Sequence, residues 1–225
     1  MKKLFQAIRK SDIKTVRELL EKKTELISCT AKQPPKKDDG QSPLQVALKT
    51  GNFEIAEYLL DMNADVNFME SEDCCNEWRM PVVHDAINAA IMNTRWNSNS
   101  EIMYGGLKVF HSKEEADRAY NVLVRMIDMG ADVNAADSYG NTCVWRACLQ
   151  ARQILPTYNH QKQELGTDRL LTPELTEDLQ KIFTLLYENG MDIDYIKPNV
   201  NMSARDYYKN EPVAHFLQFD RQHNQ

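Results

Sequence analysis

Few residues in this chain combine the type and the spacing that catalysis needs. His84 and Asp85 are adjacent, and a histidine beside a carboxylate is a common arrangement for general acid–base catalysis. No third group stands at a useful spacing from this pair. The run YGGLK, Tyr104–Lys108, lacks the strand, the further glycines and the helix of a phosphate-binding loop. We therefore expect no catalytic residue and no enzyme.

The five cysteines favour reduced thiols over a disulfide framework. Four residues separate Cys143 from Cys148, and the adjacent Cys74 and Cys75 lack a second pair or nearby histidines that would complete a metal site. We expect no metal and no cofactor. Charged residues interrupt the opening MKKLFQAIRK, and no apolar run approaches the roughly 18 residues of a membrane span. The sequence thus favours a cytoplasmic or intracellular protein without membrane contact.

Charge is unevenly distributed along the chain. The formal net charge is −6; residues 1–40 carry 11 Lys and Arg against 6 Asp and Glu, whereas residues 41–225 carry 16 against 27. Such an acidic body repels nucleic acid, because duplex binding depends on neutralising phosphates with basic side chains. We expect a protein partner instead, and electrostatics favours a basic one. The alternative is that the negative charge serves only to keep the chain in solution.

One short motif recurs three times along the chain. NADVNF at Asn63–Phe68 returns as GADVNA at Gly130–Ala135 and, degraded, as GMDIDY at Gly190–Tyr195. Each copy follows an apolar helix end and precedes a turn and a new helix start. The best-preserved unit, GQSPLQVALKTGNFEIAEYLLDMNADVN at Gly40–Asn67, resembles the ankyrin-repeat family almost throughout.

The resemblance implies an all-α ankyrin-repeat solenoid of stacked antiparallel helix pairs with short hairpin connections. We expect a single domain, 1–225, with approximate repeats 1–37, 38–72, 73–136, 137–198 and 199–225. His84 falls at the family's structural histidine position, where it would bridge a turn to the neighbouring repeat. Gly130 follows an amphipathic segment and is expected to end that helix in the left-handed conformation.

Two successive repeats are longer than the family unit. The span from the alanine of the entry motif to the end of the outer helix is 13 residues in the second repeat, Ala47–Leu60. The equivalent spans in the third and fourth repeats, Ala86–Ile127 and Ala147–Tyr187, are 41 and 40 residues. Ser112 with Glu115, and Thr172 before Pro173, predict early starts for both outer helices. The inner helices are expected to run on, with loops near residues 94–111 and 156–170. The insertions serve either as structural bulk or as a second partner surface, with Trp96, Tyr104 and Tyr158.

The hairpin tip after the second repeat is the first candidate partner surface. It is 6 residues longer than the next tip and carries the sequence FMESEDCCNEWRM. Its four carboxylates beside aromatic residues combine charge for steering with anchors of the type that dominates binding energy. The alternatives are a solvated loop with Trp78 folded onto its own repeat, and a core position for Trp145. The candidate residues of this concave surface are Phe68, Glu70, Glu72, Asp73, Glu77, Trp78, Arg79, Tyr139, Trp145 and Tyr195.

The earlier segment CTAKQPPKKDDG is also longer than a family hairpin needs. Its two prolines and its lysines predict an exposed, mobile loop. The alternative is that this loop contacts an acidic patch.

These features predict a protein–protein interaction module that acts by non-covalent binding. With no attached effector domain, such a chain would act by occupying its partner, as an inhibitor, an antagonist or an immunity protein. An adaptor that bridges two proteins is the alternative, and a cryptic enzyme that depends on His84 is a third. A monomer is favoured.

Overall fold

Helix pairs follow one another along the chain in the computed structural model, which describes residues 1–219. Residues 220–225 of the last predicted repeat, including His223, lie outside the described residues. The α-helices of the described part are α1 (Lys2–Arg9), α2 (Ile13–Lys22), α3 (Pro43–Lys49), α4 (Phe53–Asp61), α5 (Val82–Met92), α6 (Glu101–Tyr104), α7 (Lys113–Asp128), α8 (Cys143–Ala151), α9 (Pro173–Glu188) and α10 (Ala204–Tyr207). Short 3-10 helices span Thr24–Ser28, Lys36–Asp38 and Pro212–Leu217.

Neighbouring pairs contact each other through equivalent helices. The inner helices α1, α3, α5, α8 and α10 touch in succession, as do the outer helices α2, α4, α7 and α9. Their buried side chains form one continuous apolar cluster that runs through all the pairs. Helices as short as these are marginal in water, so each pair depends on the next for burial of its apolar side. No helix among residues 1–219 has the length and apolar character needed to cross a membrane.

The long outer helices begin where their N-caps predict. The Ser112 hydroxyl accepts from the Glu115 backbone N–H, and the Glu115 carboxylate accepts from the Ser112 N–H, which completes a capping box at the start of α7. At the start of α9 the Thr172 hydroxyl accepts from the Leu175 backbone N–H, with Pro173 at the first helical position. The inner helices extend less uniformly, because α5 continues to Met92 whereas α8 ends at Ala151 and gives way to a turn.

Both insertions contain a β-hairpin, so the all-α expectation is wrong at these two places. In the first insertion β1 (Asn97–Ser100) pairs antiparallel with β2 (Gly106–Val109). In the second, β3 (Tyr158–Asn159) pairs antiparallel with β4 (Glu164–Leu165). The physical reason is that backbone groups of a folded-back segment need hydrogen-bond partners and find them in each other. Strands of two to four residues are too short to show a period-two pattern in the sequence.

Asparagines of the recurring DVN motif connect one hairpin tip to the next. The Asn67 side-chain amide donates to the Gly130 carbonyl at 2.9 Å, and the Asp132 N–H donates back to the Asn67 side-chain oxygen at 2.8 Å. Asn134 makes the same two bonds to the following tip. Gly130 has a φ of +90°, so it takes the left-handed conformation expected just after α7.

A buried ion pair ties the third and fourth helix pairs together at the insertions. The backbone N–H and the Nε of Arg95 donate to Asp178 Oδ2 at 2.8 Å and 3.0 Å, and Nη2 donates to Oδ1 at 2.7 Å. These bonds, chiefly those to Asp178, raise the pKa of Arg95 above its usual value. The two enlarged units are thereby held side by side, in addition to the contact between α7 and α9.

Candidate functional site

Two large aromatic side chains stand exposed on adjacent hairpin tips. Trp78 is 47% exposed and Tyr139 is 51% exposed, and their rings meet edge to face with centroids 6.4 Å apart. The indole Nε1 of Trp78 donates to Asp137 Oδ2 at 2.9 Å. The Arg146 guanidinium lies 4.6 Å from the centroid of the Trp78 ring. The aromatic pair is therefore fixed from behind while its outer surface faces solvent.

The support behind Trp78 is a buried ion pair that the sequence analysis did not identify. Arg146 Nη2 donates to Asp137 Oδ2 at 3.2 Å, and neither side chain is more than 5% exposed. Burial alone would raise the pKa of Asp137, but hydrogen bonds, led by those from Asn141, hold it below its usual value. Arg146 stands inside the otherwise apolar helix start TCVWRA, and this was the only available sign in the sequence.

The lysine-bearing loop before α3 faces this aromatic pair across a groove. Lys36 and Lys37 are exposed, but the Asp38 that follows is buried and accepts from Arg9 Nε at 2.6 Å. The next carboxylate, Asp39, is also buried and accepts from the Cys75 backbone N–H at 2.9 Å. These carboxylates connect the loop to α1 and to the enlarged tip, while Lys36, Lys37 and Pro34 are exposed as predicted.

A glycine is required where the lysine-bearing loop meets the enlarged tip of Cys74 and Trp78. Gly40 has a φ of +82°, and a Cβ built on it would lie 2.5 Å from the Cys74 Cβ. Only glycine accommodates both the conformation and the close approach. The lysine-bearing loop, the enlarged tip and Tyr139 of the following tip line a groove of about 560 Å³. We call it the tip groove; its principal lining residues are Lys36, Lys37, Glu77, Trp78, Met80 and Tyr139.

Glu70 is among the residues that line the tip groove, but it is buried, unlike the exposed carboxylates with which it was grouped. It is only 5% exposed and accepts from Gln41 Nε2 at 3.3 Å, from Gln45 Nε2 at 3.1 Å and from the Met80 backbone N–H at 2.7 Å. A carboxylate can be buried when donors surround it in this way. Its function here is to connect α3 to the enlarged tip.

Gln45 and His84 occupy equivalent positions in successive repeats and both form bridges. The Gln45 amide lies 3.0 Å from the Met80 carbonyl and 3.2 Å from Asp85 Oδ2. His84 Nε2 pairs with the Ala135 carbonyl of the following tip at 3.0 Å, as the ankyrin resemblance implied. Burial lowers the pKa of His84 to about 4, whereas burial and then the Glu70 charge raise the pKa of Asp85 to about 7. Both side chains thus face the interior between repeats.

The remaining predicted residues of this surface divide into exposed and buried groups. Glu72, Asp73 and Glu77 are exposed, and Glu72 accepts from Arg79 Nη2 at 3.2 Å. Trp145 is buried, so its alternative interpretation as a core residue holds and its place among the binding residues is wrong. The reason is that Tyr207 and Tyr208 of the last pair cover its ring.

Two residues of this surface lie partly buried. Phe68 packs against the apolar core, and Tyr195 is half-buried beside the Gly140 turn, with its hydroxyl 3.9 Å from the position that a Cβ on that glycine would take. Neither joins Trp78 and Tyr139 among the residues that line the tip groove.

The proposed second surface is distributed over both insertions. Trp96 stacks on Phe110 with centroids 4.1 Å apart, and Tyr104 meets the same Phe110 ring edge-on at 5.7 Å. Tyr158 belongs to the other hairpin and contacts His160 at 5.0 Å. The three aromatics therefore do not share one contact cluster.

The cysteines and other potential metal ligands of the described residues do not come together in a metal site. Cys143 and Cys148 are buried in α8, and burial raises the pKa of both thiols. In residues 1–219 no three His, Cys, Asp or Glu side chains come together in a group that could hold a metal ion.

Taken as a class, this is a helical repeat protein whose hairpin tips present an exposed, supported aromatic pair. Residues 2–70 match a family model described as ankyrin repeats (3 copies). Residues 2–70 therefore carry ankyrin repeats, which supports an ankyrin-repeat family for this part of the chain. Ankyrin repeats act in general as protein–protein interaction modules, and the family is typically non-enzymatic.

Proposed function

We propose that this protein is an ankyrin solenoid that inhibits a protein partner by occupying it through the tip groove. The exposed pair of Trp78 and Tyr139 supports this proposal most directly. Aromatic residues of this kind dominate binding energy at protein interfaces when they sit at the centre of a contact. No catalytic step is part of the proposal, since His84 and Asp85 are engaged between repeats.

Preorganisation is what makes such a pair effective. The hydrogen bond to Asp137 and the guanidinium of Arg146 hold the indole in one orientation before any partner arrives. Ordering an interface side chain costs about 0.5–1.5 kcal/mol on binding, and a side chain that is already fixed avoids most of this cost. A rigid tip groove therefore suits tight, one-to-one occupation of a partner, which is what an inhibitor, an antagonist or an immunity protein requires.

The charge around the tip groove favours a partner with a basic patch and an apolar anchor. Glu77 lines the tip groove together with Lys36 and Lys37, and Glu72 and Asp73 are exposed on the same enlarged tip outside the groove lining. The acidic body of the chain adds to the attraction for a basic protein at long range. An intracellular, monomeric protein remains part of this proposal.

The second candidate function is an adaptor that holds two proteins at once. The observation that favours it is the exposed apolar hairpin of the first insertion, which belongs to a different part of the fold from the tip groove. An inhibitor suppresses an activity of one partner in a complex of fixed stoichiometry. An adaptor instead retains one of its two partners when the tip groove is disabled.

The experiment that tests the proposal is quantitative capture of proteins from a native lysate, at low and moderate salt, with the tagged wild-type chain and two variants. Tyr139→Ala removes an anchor that is 51% exposed, and Ile102→Ala is a control at a residue that is 99% exposed on the first insertion. Loss of an anchor worth about 2 kcal/mol weakens binding roughly 30-fold. We expect one dominant partner that Tyr139→Ala loses and Ile102→Ala retains.

Charge reversal distinguishes the acidic residues of the enlarged tip from the lysines of the tip groove. Replacing Glu72, Asp73 and Glu77 by Lys should slow association with the captured partner, whereas replacing Lys36 and Lys37 by Glu should accelerate it. Partners that all survive Tyr139→Ala, with the variant folded as judged by circular dichroism, would contradict the tip groove as the binding site. A partner whose activity is unchanged in the complex would contradict inhibition.

A further inference from the structure

The β1–β2 hairpin of the first insertion has an outer edge with unused backbone groups. In the register of this hairpin, the Phe110 N–H donates to the Trp96 carbonyl at 3.0 Å, one position beyond the paired strands. In antiparallel pairs, hydrogen-bonded and non-hydrogen-bonded positions alternate. Leu107 and Val109 therefore occupy non-hydrogen-bonded positions and direct their N–H and C=O groups away from β1.

The opposite edge of the hairpin is already covered by the second insertion. The outward N–H of Asn99 in β1 donates to the Asp168 carbonyl at 2.8 Å, which agrees with the alternation. The Asn97 side chain donates to the Leu170 carbonyl at 2.7 Å and accepts from the Leu170 N–H at 2.8 Å. No such bond reaches the outward backbone groups of β2 within residues 1–219. The β2 edge, meaning the outward N–H and C=O groups of Leu107 and Val109, is thus the open side of this small sheet.

Apolar side chains accompany the β2 edge. Leu107 and Val109 are about half exposed, Met103 is 71% exposed, and Ile102, in the turn of α6 between the strands, is 99% exposed. Single exposed apolar residues are ordinary, but four within one hairpin form a patch of the kind that marks an interaction surface. An unprotected strand edge with an apolar rim is a template for an added strand.

The positive charge of Lys108, at the centre of the β2 edge, determines which strand can bind there. Lys108 lies between the two outward-facing residues, and its ammonium group is 4.8 Å from the Tyr104 ring centroid and 5.0 Å from that of Phe110. An antiparallel strand bonded to Leu107 and Val109 places one residue directly opposite Lys108, in the closer, non-hydrogen-bonded type of pair. A second copy in symmetric pairing centred on Lys108 would bring its own Lys108 there, and like charges in that position are destabilising. An Asp or Glu is the complementary residue.

We propose that the β2 edge binds an extended segment of another protein as an added antiparallel strand, with a central acidic residue opposite Lys108 and apolar residues on either side. This site is separate from the tip groove and does not depend on the function proposed for it. It assigns the first insertion a ligand of defined chemistry: an apolar–acidic–apolar peptide strand.

Two pools of labelled nonapeptides provide the test. In the first pool a central Glu lies between positions occupied by Val, Ile or Leu in all combinations, and in the second Lys replaces the Glu. Wild-type protein should bind the Glu pool at least 10-fold more tightly in fluorescence anisotropy. Lys108→Glu should reverse this preference. Val109→Pro should weaken both, since it removes an outward N–H and leaves the bonds to β1 intact.

Amide exchange measured by NMR on the wild-type protein keeps the test independent of variant folding. Addition of the Glu pool should protect the amides of Leu107 and Val109 and leave that of Lys108, which already faces β1, unchanged. Tyr139→Ala serves as the matched control and should bind the peptides like the wild type, so failure here is distinguishable from failure of the tip groove. Equal binding of both pools, no binding, or protection spread over other segments would overturn the proposal. A concentration-dependent dimer that Val109→Pro abolishes would assign the edge to a second copy and overturn it equally.

Discussion

Replacing Asp137 by Ala should remove the support of the tip groove and lower the stability of the whole repeat array. The buried carboxylate accepts from Trp78 Nε1 at 2.9 Å, from Arg146 Nη2 at 3.2 Å and from Asn141 Nδ2 at 2.8 Å. It also accepts the backbone N–H groups of Tyr139 and Asn141, both at 2.9 Å. Asp137 thereby connects both exposed aromatic positions to the interior.

The magnitude follows from what the substitution leaves behind. The Arg146 side chain is 5% exposed, so it would remain buried without a counter-charge. Removing one partner of a buried ion pair typically costs about 3–5 kcal/mol, whereas replacing both by apolar residues often costs little. We therefore expect Asp137→Ala to lose about 3–5 kcal/mol, and Asp137→Ala combined with Arg146→Met to be more stable than Asp137→Ala alone.

The measurement is urea unfolding of the wild type, both single variants and the double variant, followed by circular dichroism and by tryptophan fluorescence. Trp78 should also become more mobile in Asp137→Ala, which weakens any partner bound at the tip groove. A decrease of less than about 1 kcal/mol in the free energy of unfolding of Asp137→Ala would refute the reasoning, because a buried, unpaired guanidinium should destabilise the fold by more than that. Strict additivity in the double variant would do so as well.

Two further predictions concern contacts between repeats. The pKa of Asp85 is raised to about 7 in the folded protein, against about 3.9 in an unfolded chain. Between these two pH values Asp85 is protonated in the folded state and ionised in the unfolded state. The free energy of unfolding therefore falls by up to about 1.4 kcal/mol per pH unit as pH rises through this range. His84, with its pKa lowered to about 4, contributes the opposite slope from about pH 4 to 6.5. Asp85→Asn should therefore gain stability over the wild type from about pH 4 to 7 in urea titrations at several pH values, and parallel profiles would contradict this. Asn134→Ala, which breaks the bonds of 2.8 Å to Gly190 and to the following tip, should cost about 1–2 kcal/mol in thermal or urea unfolding, against no more than about 0.5 kcal/mol for the exposed control Asn199→Ala.

Local signals in the sequence were sufficient to predict where the two long outer helices begin. Ser112 with Glu115, and Thr172 before Pro173, predicted where α7 and α9 begin, and the structure confirms both caps. Capping is a contact between residues three positions apart, so it is readable without any knowledge of the fold. The same applies to Gly130, whose place after an apolar stripe predicted the left-handed end of α7.

The sequence analysis missed the β-hairpins because their strands carry no such local signal. The strands NSNS and GLKV are too short and too mixed to show alternation. They exist because each supplies hydrogen bonds to the other, and β1 also bonds to the second insertion. Nothing in either segment alone favours a strand. The predicted loops at 94–111 and 156–170 were therefore right in position but wrong in their internal structure.

For the candidate site, the sequence by itself determined which residue types were available and in which tip they stood. It identified Trp78 and Tyr139 as anchors, but it grouped Glu70 and Trp145 with them. Only the tertiary structure decided that Glu70 would be buried, because its donors come from α3 and from the far end of the tip. Burial of a charged or aromatic side chain depends on partners distant in sequence, and no local pattern records which partners will arrive.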